Sequence, residues 1–297
     1  MLKNGFHIDV LLIVSMKEEL DIILEAEPDW QAQNDSEGFV FYTRNANVNT
    51  KDEISVALVR PVDAESGFFD SDIVSRLVNR TEPRCVSMAG ICAGQRGKAV
   101  LGDVVIADRV FRYNTHKIKA FQEGKVQREE TFSYIDSYNI NPLWIKKARI
   151  FPSDWTDTIK TENPRAFMPG DEKPRVHIAA MGTGDHANEN PEVFPVTVSH
   201  VKKVLTIDTG AFAIGAVAEI ENVDAFIIVK AVADHVNSEK DDPFRFYAIE
   251  ASYRFLMAFL KDNLPQPRCH LNIPINADMK YGRSEAFCHP CSAFGAS

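Results

Sequence analysis

Long apolar runs are missing from this 297-residue sequence. None approaches the roughly 20 residues that a membrane-spanning helix requires, and the first residues carry no signal-peptide pattern. Cysteine is scarce: five residues, odd in number and scattered, do not form a disulfide framework, so a reducing cytoplasm is the expected setting. Positive charge is in deficit, with 33 Lys and Arg against 42 Asp and Glu for a formal net charge of −9. Phosphate backbones recruit basic surfaces, so this balance argues against a general nucleic-acid binder, though not against a small anion held by a few local cations. Internal repeats and heptads are also absent. What is present is the composition of a soluble enzyme, 45% hydrophobic and 25% charged. The length suffices for one large α/β domain or two smaller ones.

Strands and helices alternate along the chain. Residues 8–14 (IDVLLIV) read as a buried first strand, followed by a helix over 17–27 with Ser15 as N-cap and Glu18 as capping-box partner. Residues 39–43 read as a hairpin arm, 54–59 as a strand, and 66–79 as an amphipathic helix. A strand over 84–88 breaks into a small-residue loop, 89–97, before a strand over 104–113. A helix is expected over 142–151 with Leu143, Ala148 and Ile150 as its apolar side. Residues 152–174, rich in proline and charge, read as a long surface loop. Further strands are expected over 175–181, 204–207 and 225–232. Helices are expected over 196–203, from Ala211, and over 244–260, the last apolar nearly all round. Such alternation predicts a single α/β domain over residues 1–264, with a central mixed, largely parallel sheet flanked by helices. Residues 265–297 read as a tail without a core of its own.

Four strand ends carry residues suited to chemistry: 16–19, 89–94, 183–185, and Asp208 together with Asp234. In open α/β sheets ligands bind at the carboxyl ends of strands, so these segments are expected to meet at one rim. By position alone Asp234 is equally a cap for the next turn.

The segments VSMKEEL, MAGICAG followed by LGDVVIAD, MGTGD, IDTGAFAIGAVAE and VKAVADHV match in order and approximate spacing those of the nucleoside phosphorylase and nucleosidase superfamily. The resemblance covers about residues 8–260. It is nearest to methylthioadenosine/S-adenosylhomocysteine nucleosidases and to related domains that remove the base from nucleotides. It implies a phosphorylase-like fold and hydrolysis of the N-glycosidic bond of a purine nucleoside or nucleotide, without metal or organic cofactor, in a cytoplasmic homodimer. Breaking that bond leaves positive charge on the sugar and negative charge on the purine, so an acid is needed near N7 of the base. Asp234 matches the position of that acid, and Glu19 that of the carboxylate activating water. Met16, Gly90, Thr183, Asp185, Asp208, Thr209 and Gly210 match substrate-binding positions.

The departures carry information too. An acid-x-acid pair that grips ribose is reduced here to Asp208-Thr209-Gly210. Ile91 and Ala93 replace smaller residues of the glycine loop, and Met88 stands where phosphorylases of the superfamily often place a phosphate-binding arginine, which is hard to replace. Water is therefore the favoured nucleophile. Phosphorolysis and a catalytically degenerate nucleotide sensor are the rivals. Arg60, Arg96 and Lys98 are read as solvated surface rather than phosphate ligands. His186 and His235 are read as wall groups, and Tyr113, Phe121 and Phe212 as core aromatics rather than base-stacking platforms. Cys269, His270, Cys288, His289 and Cys291 lack a standard zinc spacing, so no metal site is assigned to the tail.

Overall fold

The computed structural model describes residues 8–34, 38–48, 52–61, 71–113, 116–123, 126–133, 135–167, 172–184, 194, 201, 203–235 and 242–264. These elements belong to one compact unit, Met1–Pro265. The expected tail, with its cysteines and histidines, and most of the helix expected over 196–203 lie outside the described residues, as do Asp185 and His186.

The chain opens with β1 (Val10–Ile13), α1 (Lys17–Ala26), β2 (Gln31–Asn34), β3 (Val40–Val48) and β4 (Asp52–Val59). Next come α2 (Ser71–Thr81), β5 (Cys85–Met88), β6 (Ile91–Gly94) and β7 (Val104–Arg112). A separate hairpin, β8 (His116–Glu123) with β9 (Val126–Ser133), precedes β10 (Ser137–Asn139) and α3 (Pro142–Arg149). The chain then forms β11 (Val176–Thr183), β12 (Val204–Asp208), α4 (Ala211–Ile220), β13 (Ala225–Asp234) and α5 (Asp242–Asn263).

Among the described residues, eleven strands make one sheet in the order β10-β7-β11-β12-β6-β13-β5-β1-β4-β3-β2, and β7 also pairs with β13. The extra pairing closes β7, β11, β12, β6 and β13 into a ring, from which β5, β1, β4, β3 and β2 continue as an open wing. β1 runs parallel to both β4 and β5 and is buried at every position, which is why its sequence is continuously apolar rather than alternating. β13 bridges the two halves. Its start pairs with β5, its middle antiparallel with β7, and its end parallel with β6. α5 packs across β13 and, through Phe255 and Phe259, against Trp144, Phe151 and Trp155. The fold is thus a single α/β domain with a central mixed sheet flanked by helices.

Several expectations need correction. Part of the expected small-residue loop is β6, because pairing with β12 and β13 overrides the low strand propensity of Ala and Gly. The N-cap of α1 is Met16, not Ser15, and the carboxylate that reaches back to the helix start is Glu19 rather than Glu18. On α3 the buried residues are Trp144 and Ala148, while Leu143 and Ile150 face outward. The stretch expected to be surface loop contains two 3-10 turns, Asp154–Thr158 and Pro164–Phe167, which bury Trp155 and Arg165. Arg165 is tied to Asp103 at the start of β7 by a 2.6 Å ion pair, both side chains being inaccessible to solvent.

Candidate functional site

Glu19 sits at the third position of α1, one turn past the carboxyl end of β1, and is fully buried. Its Oε2 accepts the N–H groups of Ser15 at 2.8 Å and Met16 at 3.0 Å. Its Oε1 accepts the N–H of Ile91 at 2.9 Å and faces the Lys230 ammonium at 3.4 Å. A carboxylate offers about four acceptor sites, and all four are occupied by protein donors. Gly90 makes this possible. Its φ of +136° belongs to glycine, and a Cβ there would lie 1.8 Å from Glu19 Oε1.

Lys230 lies in the middle of β13, buried in a strand that is otherwise apolar up to its last residue, Asp234. No sequence reasoning singled it out, yet the signal was there: a lysine inside AFIIVKAVAD cannot be buried without an anionic partner. Its charge also acts on Asp208 and on Cys92.

Asp208 ends β12, and its carboxylate is taken up by the start of α4. It accepts the Gly210 N–H at 3.3 Å, the Ala211 N–H at 3.0 Å and the Thr183 hydroxyl at 2.9 Å. Thr183 in turn accepts the Phe212 N–H at 3.1 Å. Asp208 and Thr183 therefore form a joint cap on α4. Burial pushes the Asp208 carboxyl up, and Lys230, Thr183 and the two N–H groups reverse only part of that rise. Thr209 is half-buried beside it.

Asp234 is the last residue of β13, opposite Ala93 of β6. Burial keeps the Cys92 thiol well above the ordinary range and hence un-ionised, with Lys230, Asp208 and Asp234 as lesser influences. The strand ends do not meet at a single parallel rim. β12 runs antiparallel to β6, and β7 antiparallel to β13, so the ends of β12 and β13 approach β6 from opposite directions. Contacts join Met16, Gly90 and Lys230 to Glu19, and Thr183 and Gly210 to Asp208, while Asp234 ends β13 opposite Ala93 of β6.

The secondary candidates divide clearly. Arg96 and Lys98 are exposed and Arg60 is half-buried. His235 Nδ1 lies 3.1 Å from the Gly94 carbonyl, a wall contact. Phe212 is buried against Tyr138 with the Arg112 guanidinium over its ring, a core aromatic, whereas Tyr113 is half-buried and packs on the cluster of Phe111. The Phe121 side chain is outside the described residues. Among the described residues no group of three His, Cys, Asp or Glu side chains is placed to hold a metal ion, and no helix is long and apolar enough to cross a membrane.

No protein-family model matches the chain. ATP nucleosidase Cap17 of Escherichia coli is 27% identical over 190 residues, covering 61% of this chain and 37% of that protein. An uncharacterized protein of Sinorhizobium fredii, y4jS, is 23% identical over 175 residues, covering 58% of this chain and 41% of its own length. The chain thus spans about two fifths of the curated relatives it matches. Among solved structures, the 5′-methylthioadenosine/S-adenosylhomocysteine nucleosidase of Neisseria meningitidis superposes with a TM-score of 0.60 at 17% identity, over 86% of this chain and 99% of that one. The Streptococcus pneumoniae nucleosidase gives 0.60 at 20% identity, over 86% and 99%. Futalosine hydrolase of Helicobacter pylori gives 0.60 at 14% identity, over 86% and 100%. The architecture is therefore the fold seen in methylthioadenosine/S-adenosylhomocysteine nucleosidases.

Proposed function

We propose that this chain hydrolyses the N-glycosidic bond of a purine nucleoside or nucleotide and releases the free base. The observation that carries the reading is the buried Glu19–Lys230 pair, with Lys230 on the same strand as Asp234, on a fold shared with nucleosidases. In this reaction water forms a bond to C1′ as the bond from C1′ to the base nitrogen breaks. The electron pair leaves with the purine, where Asp234 delivers or holds a proton at N7, and Glu19 takes a proton from the attacking water. Glu19 has no spare acceptor site at rest, so water must displace a donor. Three of the four are fixed backbone N–H groups, and the longest contact is to Lys230, whose flexible stem lets it yield. Lys230 then stays close enough to orient the water. Thr183, Asp185, Thr209, Gly210, Met16 and Gly90 complete the substrate wall in this reading. The nucleosidase names of the matched proteins support a purine ligand, and that of Cap17 supports including nucleotides. A cytoplasmic location belongs to the reading through the scarce, scattered cysteines, and a homodimer through the resemblance.

A second reading, a nucleotide sensor without turnover, is favoured by Asp208, whose carboxylate is committed to α4 rather than open to ribose hydroxyls. Chromatography of free base from adenosine, methylthioadenosine, inosine, AMP and ATP in phosphate-free buffer separates the cases. Base release without phosphate is the expected result. Release only with phosphate identifies a phosphorylase, and saturable binding without release identifies the sensor.

A further inference from the structure

Ser252 is a fully buried serine on α5, 162 residues along the chain from the loop it touches. Its Oγ accepts the Gly90 N–H at 2.9 Å and donates its own proton to the Ile249 carbonyl at 2.8 Å, so the hydroxyl has one orientation. The Gly90 carbonyl is fixed in turn by the Ala231 N–H at 2.9 Å. The peptide that follows carries the Ile91 N–H, which holds Glu19 Oε1. The neighbours of Ser252 on α5 serve other ends. Tyr253 accepts from Arg44, and Arg254 binds Glu250 and Glu27 near the far end of α1.

We propose that Ser252 is a positioning residue for Glu19, acting through the Gly90–Ile91 backbone. The assignment rests on the hydrolytic reading given above. Glu19 has its Oε1 wedged against a glycine with no room for a Cβ, so small movements of that backbone displace the carboxylate directly. Removing the Ser252 hydroxyl frees the Ala89–Gly90 peptide, leaving only the Ala231 bond to the Gly90 carbonyl to set the position of Gly90 and, through it, of the Ile91 N–H. Ground-state binding of substrate is not the quantity at stake, because Ser252 lies behind the loop and contacts the site only through it.

The test compares wild type with Ser252→Ala and the size-matched Ser252→Cys, each alone and combined with Glu19→Gln. Tyr253→Phe is the control for general loosening of α5. Ser252→Ala is expected to lower kcat about ten- to hundredfold, the scale of loss from a small misplacement of a catalytic group, with KM within about threefold of wild type. Ser252→Cys, a weaker acceptor, should fall between, and supplies the same comparison if the alanine variant does not fold. In the Glu19→Gln background neither change should lower kcat further, because the group being positioned has already lost its function. Tyr253→Phe should lower the melting temperature while leaving kcat nearly unchanged. Ser252 variants that melt earlier but retain kcat, or that lower kcat as much without the Glu19 carboxylate as with it, would overturn the assignment. Wild type that releases no base from any compound overturns the hydrolytic reading itself, and this assignment with it.

Discussion

Replacing Glu19 by Gln tests the site and the fold in one variant. The amide keeps one acceptor oxygen and turns the other into a donor. Whichever way it points, two of the four protein donors then face an N–H group, and Lys230 loses its charge partner. Each buried polar group left without an acceptor costs about 1–3 kcal/mol, and stripping one partner from a buried ion pair costs about 3–5 kcal/mol. These costs overlap, so the expected loss is about 3–5 kcal/mol, well above the roughly 1 kcal/mol of an ordinary helix cap. Urea denaturation followed by circular dichroism measures it. Adding Lys230→Met removes the stranded charge and should recover about 2 kcal/mol or more, since a buried pair replaced as a unit is often close to neutral. Base release, measured well below the melting temperature, should fall by about a hundred- to ten-thousandfold in the single variant and should not return in the double variant. A loss of stability under about 1 kcal/mol would refute the claim that four donors lock this carboxylate. Near-normal turnover in a stably folded Glu19→Gln protein would remove Glu19 from the reaction.

Asp234→Asn should leave the fold intact and reduce base release about a hundred- to ten-thousandfold; a variant keeping more than half the rate would reject Asp234 as the acid. Asp208→Ala should destabilise the protein by about 0.5–2 kcal/mol as a lost cap and weaken ribosides and ligands lacking the 2′ and 3′ hydroxyls to the same extent; a selective loss of ribosides in a binding assay would show that Asp208 reaches the sugar after all. Asp103 gives a pH prediction. Burial raises its carboxyl, but hydrogen bonds from His177, Arg165 and the Val100 and Arg175 N–H groups outweigh this and bring it to about 2, below its ordinary 3.8. The difference is worth about 2.4 kcal/mol, present above pH 4 or so and lost as pH falls through about 2. Wild type and Asp103→Asn should therefore differ in stability at pH 7 and converge in acid titrations monitored by fluorescence, and a gap that persists at pH 2 would contradict this.

The elements easiest to read from sequence were those whose burial is two-sided. β1, β5 and β13 are short apolar runs followed by small or acidic residues, and both strand and strand end were visible. β2, with the sequence QAQN on the sheet edge, has no apolar face and left no signal. β6 was hidden because its pairing partners come from more than a hundred residues downstream. Leu143 and Ile150 misled because they sit at the two ends of α3, where the helical face is not yet defined or has already ended. At the site, Asp208-Thr209-Gly210 invited a ligand-binding role through resemblance, yet an acid just before a helix start is also a local capping signal. Ser252 carried no pattern at all. A serine in an apolar helix becomes informative only when the loop packed behind it is known.

The position of β13 across the ring and the wing has a consequence for how the molecule comes apart. Ala225–Ile228 complete the open wing beside β5, while Val229–Asp234 close the ring against β7 and β6. A chain ending before Ala225 would expose the edges of β5, β6 and β7 at once, and unsatisfied edges of this kind template pairing with other chains. The two halves therefore share one strand for their closure. Loosening β13 at any point opens both, so ring and wing should melt in one cooperative transition. The late arrival of this strand in the sequence makes long-range closure the step on which native structure depends.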